Sequence, residues 1–297
     1  MDLLGANGIT FVQQFSNPLL TLFFKAITYL GHPGVWFGFF AILFWLGMEK
    51  KANIGISALA FTVFLTGTLK SIIHEPRPIN VQQLSVETSY AMPSGHGATI
   101  ASAHVSLKEN FGGNLIGYST IALIVLVCLS RVYLGVHTPL QVIMGVFIGL
   151  ITSKLVIKLH AKIKHRFNIM NTKEYLLLGT IILVSVIGGL FLPEEYKAAQ
   201  AFAGYYFAYI LLTHSKIIPQ KIEWSKIILG SAIIGIAFFM ALNSVGFEEQ
   251  LFYFLGGFFV PAWSAINSLK AEKKNTKNKF RKIKTNKKNK NKKISVS

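Results

Sequence analysis

Apolar runs approaching the length of about 20 residues that a helix needs to cross a bilayer core dominate this chain. They fall over 18–31, 34–47, 53–73, 95–108, 114–134, 138–158, 175–192, 198–213, 227–243 and 250–268. A membrane barrel would instead show short segments that alternate apolar and polar residues, so the spans read as helices. Residues 7–16 add a short interfacial helix. The expected fold is all-α: a polytopic transmembrane helical bundle of nine or ten helices. Composition agrees, because 52% of the 297 residues are hydrophobic and 14% are charged, against about 25% charged in a typical soluble domain.

The net charge of +18 is concentrated at one end. Residues 270–297 hold 13 Lys/Arg and one Glu, which is twelve of the eighteen charges. A Lys/Asn-rich stretch without apolar periodicity predicts disorder. Its expected work is to mark the cytoplasmic side and to touch anionic lipids. Charge alone does not make a nucleic-acid site, and no other feature suggests one. Cys128 is the single cysteine, which excludes an intrachain disulfide. The N-terminus lacks a basic region followed by an apolar run and a small-residue cleavage site, so no cleaved signal peptide is expected.

Loop charges orient the bundle. Lys50 and Lys51 follow the second span; Lys158, Lys162, Lys164 and Arg166 follow the sixth; Lys216, Lys221 and Lys226 follow the eighth; the basic tail follows the tenth. If every span crosses, all four groups share one side, and the positive-inside tendency makes it cytoplasmic. The opposite side holds Glu75, Glu87, Glu194, Glu195, Glu248 and Glu249. The expected setting is the cell (inner) membrane, with a multi-pass chain.

Three polar clusters fall on that opposite face. "KSIIHEPRP" carries Lys70 and, seven residues on, Arg77 before Pro78. "PSGH" places Ser94 as a helix cap, Gly95 where a ligand can approach the backbone, and His96 in a first helical turn that favours an anion. "SRVYLGVH" carries Arg131 and His137. Each residue alone has an ordinary explanation: a cation at a helix end, a cap, an interfacial histidine. Together they suit phosphoryl transfer. Three cations can clamp the equatorial oxygens, and two histidines can divide nucleophilic and acid–base work.

The pattern K-x6-R-P, then P-S-G-H, then S-R-x5-H resembles the type 2 phosphatidic acid phosphatase superfamily over residues 70–145. The resemblance implies a six-helix phosphatase core. It implies that His137 is the nucleophile, that a phosphohistidine forms, and that His96 protonates the leaving oxygen. It assigns the phosphate to Lys70, Arg77, Ser94, Gly95 and Arg131, and it implies no metal and no cofactor. Only Glu75 and Glu87 lie near the motifs, which is a poor oxygen set for Mg²⁺. Many members carry Asp four residues after the nucleophile, where this chain has Gln141. Residues i and i+4 share a helix face, so Gln141 can still accept the His137 Nδ1–H, without adding charge. On that basis Gln141→Asp is expected to retain activity and to shift the acid limb upward. The third motif and the segment "FYFLGGFFVPAWS" also resemble the glucose-6-phosphatase branch.

The expected organisation is a phosphatase core over 1–160, additional transmembrane helices over 161–269, and a disordered basic cytoplasmic tail over 270–297. The expected activity is metal-independent hydrolysis of a lipid phosphate or diphosphate at the extracytoplasmic face. A sugar-phosphate phosphatase, a phosphotransferase, and a transporter or inactive scaffold are the alternatives left open by the residues.

Overall fold

The computed structural model of the protein describes residues 3–164, 183, 187, 188, 191, 193–215 and 221–294. Every regular element among them is a helix, and the architecture is a transmembrane helical bundle. The short interfacial helix is α1, Ala6–Gln13. It lies at the motif-bearing end, where Gln13 Nε2 donates to Gln82 O at 2.6 Å and to Tyr133 O at 3.0 Å.

The first two expected spans prove to be one broken span. Helix α2 covers Pro18–Thr28 and α3 covers Pro33–Trp45, with a 3₁₀ turn at Tyr29–Gly31 and a bend of 52° between them. Proline 33 causes the break. It has no N–H to continue the ladder, and it biases the preceding residue to extended backbone; His32 sits at φ −78°, ψ 130°. The His32 ring then caps α3 by accepting the Gly34 N–H at 3.1 Å. The pair runs from one end of the bundle to the other. Thr21 Oγ1 lies 2.9 Å from the Tyr133 hydroxyl near the motifs, whereas Trp45 O accepts from Ile222 N at 2.8 Å at the far end. The N-terminus therefore shares an end with the motifs, and the loop-charge map beyond α3 is unchanged.

Helices α4 (Glu49–Ile73), α5 (Gly95–Phe111), α6 (Asn114–Tyr133) and α7 (Pro139–Lys164) follow. Beyond them come α8 (Pro193–His214), α9 (Trp224–Leu242) and α10 (Phe247–Ile294). Among the described residues, four helices are long and apolar enough to cross a membrane, and the bent pair makes five. Helix α5, the expected 95–108 span, falls outside that count because it is short and polar. It survives inside the bundle because its Ser102 and Ser106 face helices rather than lipid, with Ser102 Oγ accepting from Ser153 Oγ at 2.7 Å. The expected 175–192 span lies almost entirely outside the described residues.

Two observations bear on the expected C-terminal part. The 270–297 stretch, expected to be disordered, continues α10 as helix to Ile294. Lysine is a good helix former, and a helix extended from a packed segment needs no new nucleus. The boundary at residue 160 does not separate two cores. Phe37, Phe40 and Trp45 of α3 share one buried cluster with Phe202 and Tyr205 of α8, Ile234 of α9 and Val260 of α10.

Helices α5 and α7 touch backbone to backbone. A Cβ on Gly145 would meet Ser94 O at 2.3 Å, and one on Gly149 would meet Ala98 O at 2.2 Å. This small-xxx-small spacing fixes the second motif against the third.

Candidate active site

Lysine 70, at the end of α4, is 6% exposed, and its Nζ donates to Ser89 Oγ at 3.1 Å and to Tyr90 O. Helix α4 stops just beyond it, at His74 in the left-handed region (φ 52°), and Pro76 and Pro78 keep the chain extended. Arg77 folds back over the same loop. Its Nε donates to Ser89 O at 2.8 Å and its Nη2 to Ser89 Oγ at 3.0 Å. Ser89 thus fixes both cations of the first motif. The other arm, Nη1, donates to Val136 O at 2.9 Å and lies 2.8 Å from His137 Nε2. Burial lowers the Arg77 pKa to about 10, so the guanidinium keeps its charge at neutral pH.

Arg131 is 1% exposed at the end of α6. Nη1 donates to Thr28 Oγ1 at 2.8 Å, and Nη2 pairs with Glu87. Its Nε is buried and makes no hydrogen bond among the described residues. Glu87 also reaches Arg77 at 3.9 Å. Burial pushes its carboxyl up, but Arg131, Arg77 and Lys70 outweigh burial and hold it below the ordinary carboxylate range. A carboxylate therefore rests on the two arginines that the motif assigns to phosphate.

The turn from Arg131 to His137 needs Gly135, which sits at φ +73°; a Cβ there would also meet Gln82 O at 2.2 Å. His137 is 1% exposed. Its Nδ1 lies 3.3 Å from Gln141 Oε1, which also accepts the Thr138 N–H at 3.0 Å. Gln141 Nε2 donates to Glu75 Oε1 at 2.6 Å. These contacts fix the tautomer: Oε1 is an acceptor, so Nδ1 carries the hydrogen, and the Nε2 lone pair faces Arg77 and the cavity. Burial first, then the charges of Arg77 and Arg131, hold the His137 pKa well below the ordinary histidine value. The ring is therefore neutral at pH 7.

Ser94 caps α5 by accepting the Gly97 N–H at 3.4 Å, and its own N–H donates to Gln141 O at 3.1 Å. Gly95 faces open space, with nothing within 4 Å of where a Cβ would be. His96 lies against Gly31 and has its ring 6.2 Å from that of His32. Lys70, Arg77, Gly95, His96, Arg131 and His137 all line one cavity of about 620 Å³. Ser94 and Gln141 stand behind this lining and hold it.

The sequence reading gave no site role to four residues. Glu75 sits inside "KSIIHEPRP" and was reachable from the motif, but only as a residue of the cavity mouth. Thr28, Glu87 and Ser89 carry no local signal, since no periodicity or spacing ties them to partners 12 to 103 positions away.

Residues 51–165 match the family model described as PAP2 superfamily. Lipid phosphate phosphatase delta of Arabidopsis thaliana is 25% identical over 178 residues, covering 54% of this chain and 43% of that protein. Dolichyldiphosphatase of Saccharomyces cerevisiae is 30% identical over 131 residues, covering 39% of this chain and 55% of that protein. Undecaprenyl-diphosphatase of Sulfolobus acidocaldarius is 31% identical over 127 residues, covering 40% and 60%. The chain spans about half the length of the curated relatives it matches.

Proposed function

We propose that the protein is an integral membrane phosphatase that hydrolyses a lipid phosphate or lipid diphosphate through a phosphohistidine on His137. The observation that carries this is the placement of Arg77 Nη1 at 2.8 Å from Nε2, the lone-pair nitrogen of a buried histidine whose Nδ1–H is already held; that lone pair accepts from Arg77 until a phosphate takes the guanidinium. A phosphate seated on Arg77, Arg131, Lys70 and the N-terminus of α5 would present its phosphorus to that lone pair. The Nε2–P bond forms as the P–O bond to the leaving group breaks, and His96 gives its proton to the departing oxygen. Water then attacks the phosphohistidine while His96 takes a proton back. The N–P bond breaks, and inorganic phosphate and neutral His137 result. None of these steps asks for a metal.

Relatives named for lipid phosphate, dolichyl diphosphate and undecaprenyl diphosphate support the lipid class. So do Phe37, Phe202 and Phe238 on the cavity wall, which suit a hydrocarbon better than a sugar. The lysine and arginine asymmetry supports a site on the extracytoplasmic face, with the Lys-rich end of α10 on the cytoplasmic side against anionic lipids.

The test is phosphate release from phosphatidic acid and undecaprenyl diphosphate by purified protein in detergent. Release should persist in EDTA, be inhibited by vanadate, and vanish in His137→Ala. Release lost in EDTA and restored by Mg²⁺, or unchanged in His137→Ala, would defeat this reading.

A further inference from the structure

The cavity does not end at the cations. Past His96 it runs between α3 and α4 on one side, at Phe37 and Val63, and the C-terminal helices on the other. That far wall is built by Ala201 and Phe202 of α8, Phe238 and Leu242 of α9 and Tyr253 of α10. All three helices lie outside the stretch that matches the family model. The wall is interior surface: Ala201, Phe202 and Tyr253 are each 3–4% exposed. Two alanines one turn apart, Ala198 and Ala201, line the space where larger side chains would close it.

The rim is apolar as well. Tyr29 is 66% exposed, Val86 89% and Leu242 70%, and Lys25 adds a cation beside them. An apolar edge in a bundle surrounded by lipid gives a hydrocarbon chain a path that never leaves apolar surroundings.

We infer that the chamber between α3, α4 and the three C-terminal helices is the binding site for the substrate's hydrocarbon chain, and that these helices set which chains are accepted. This rests on the proposed phosphatase reading for the head group. It gives α8–α10 a role that the phosphate chemistry does not need. The phosphate is held at the cationic end, and the far end of the chain lies along Ala198, Ala201 and Phe202. The chain enters from the bilayer past Tyr29, Val86 and Leu242.

Two measurements on the full-length protein test this. Phosphatidic acids with long (hexadecanoyl) and short (hexanoyl) chains are compared in wild type and Ala201→Trp, which puts a large side chain on the cavity wall. The ratio of kcat/KM for long over short chains should fall at least tenfold; an unchanged ratio overturns the inference. The second measurement does not depend on a variant that folds. Wild-type protein in detergent is irradiated with a hexadecyl phosphonate bearing a diazirine at the chain end, which cannot be hydrolysed, and the labelled peptides are mapped. Label should appear in 198–202 and 238–253 and be removed by excess long-chain phosphatidic acid. Label confined to the lipid-facing residues of α6 and α7 overturns the inference. Label in the chamber without phosphate release from any lipid phosphate would defeat the phosphatase reading and leave the chamber standing.

Discussion

Helices α4–α7 and helices α8–α10 meet across one cavity, yet they are built on different principles. The first group holds its functional side chains by hydrogen bonds with little freedom left. Arg77 spends its nitrogens on Ser89, Val136 and His137, and Gln141 touches His137, Thr138 and Glu75. The second group offers aromatic and small side chains: Phe202 packs edge-on against Phe37, and Tyr205 sits among Phe37, Phe44 and Tyr209. Polar groups with directed donors fix where atoms react. The tyrosines of α8 dock the second group by donating to α4, Tyr206 Oη to Ser57 Oγ at 2.7 Å and Tyr209 Oη to Glu49 Oε1 at 2.8 Å, while the apolar wall it turns to the cavity fixes only what fits. One half is suited to chemistry and the other to selection, and substitutions in the two halves should fail in different ways.

The largest expected effect is in the chemical half and does not depend on the substrate's chain. Arg131→Ala should lower kcat/KM about 10²–10³-fold, the loss typical of removing one preorganised charge donor from a transition state. Long-chain and short-chain phosphatidic acid should lose equally, in contrast to Ala201→Trp. Arg131→Lys should recover only part, since an ammonium cannot reach Thr28 and the phosphate with separate arms. A loss restricted to long chains would place Arg131 with the selecting surface and dissolve the division.

The two halves were also unequally legible in the sequence. Lys70, Arg77, Ser94, His96, Arg131 and His137 could be found because their spacing along the chain reports the chemistry, and the cavity brings their elements to one end of the bundle. The helices themselves were legible from apolar runs, except where a proline breaks a span, as at Pro33. The chamber was not legible. Phe202, Phe238 and Tyr253 look in the sequence like any membrane aromatic, because what distinguishes them is which face meets a cavity, and that depends on how α8–α10 dock on α3. Glu87 was illegible for a related reason: its loop is placed by tertiary contacts such as the Leu84 N–H donating to Leu134 O at 2.9 Å.

Glu87 gives a smaller prediction that probes the boundary between the halves. Its carboxylate rests on Arg131 and Arg77, and an incoming phosphate must displace it. Glu87→Gln should therefore lower KM, and the vanadate concentration for half inhibition, about tenfold, with kcat changed much less; a tenfold change corresponds to about 1.4 kcal/mol. The cations hold the Glu87 carboxyl below the ordinary carboxylate range. It stays ionised, and keeps competing, as pH falls through 7 to 5, so the gain in the variant should be constant over that interval. If KM rises instead, Glu87 orients Arg131 rather than competing with substrate.

The smallest effect concerns Glu75 and Gln141, and it revises what the sequence alone suggests. Gln141→Asp looked tolerable when the space behind residue 141 was unknown. The structure puts Glu75 Oε1 at 2.6 Å from Gln141 Nε2, so an Asp at 141 would bring two carboxylates into contact. Glu75→Gln preserves the contact, because its amide oxygen can still accept from Gln141, and removes only the charge. The hydrogen bond then changes from charge-assisted to neutral, a difference of about 1 kcal/mol, so kcat should fall by about fivefold. A carboxylate stabilises the imidazolium and raises the pKa of a nearby histidine. Its removal should therefore move the acid limb of kcat/KM down from a position already below the ordinary histidine value. Gln141→Asp alone should lose more than Glu75→Gln. In the exchanged pair, Glu75→Gln with Gln141→Asp, the amide at 75 can donate to the carboxylate at 141, and one carboxylate sits directly on Nδ1. The pair should regain most of the loss of Gln141→Asp and carry the acid limb above that of wild type. This non-additivity distinguishes a positioning role from packing, since a packing defect at two touching residues has no reason to be repaired by exchanging them. Additive losses with an unmoved acid limb would mean that Glu75 and Gln141 shape the loop and do not act on His137.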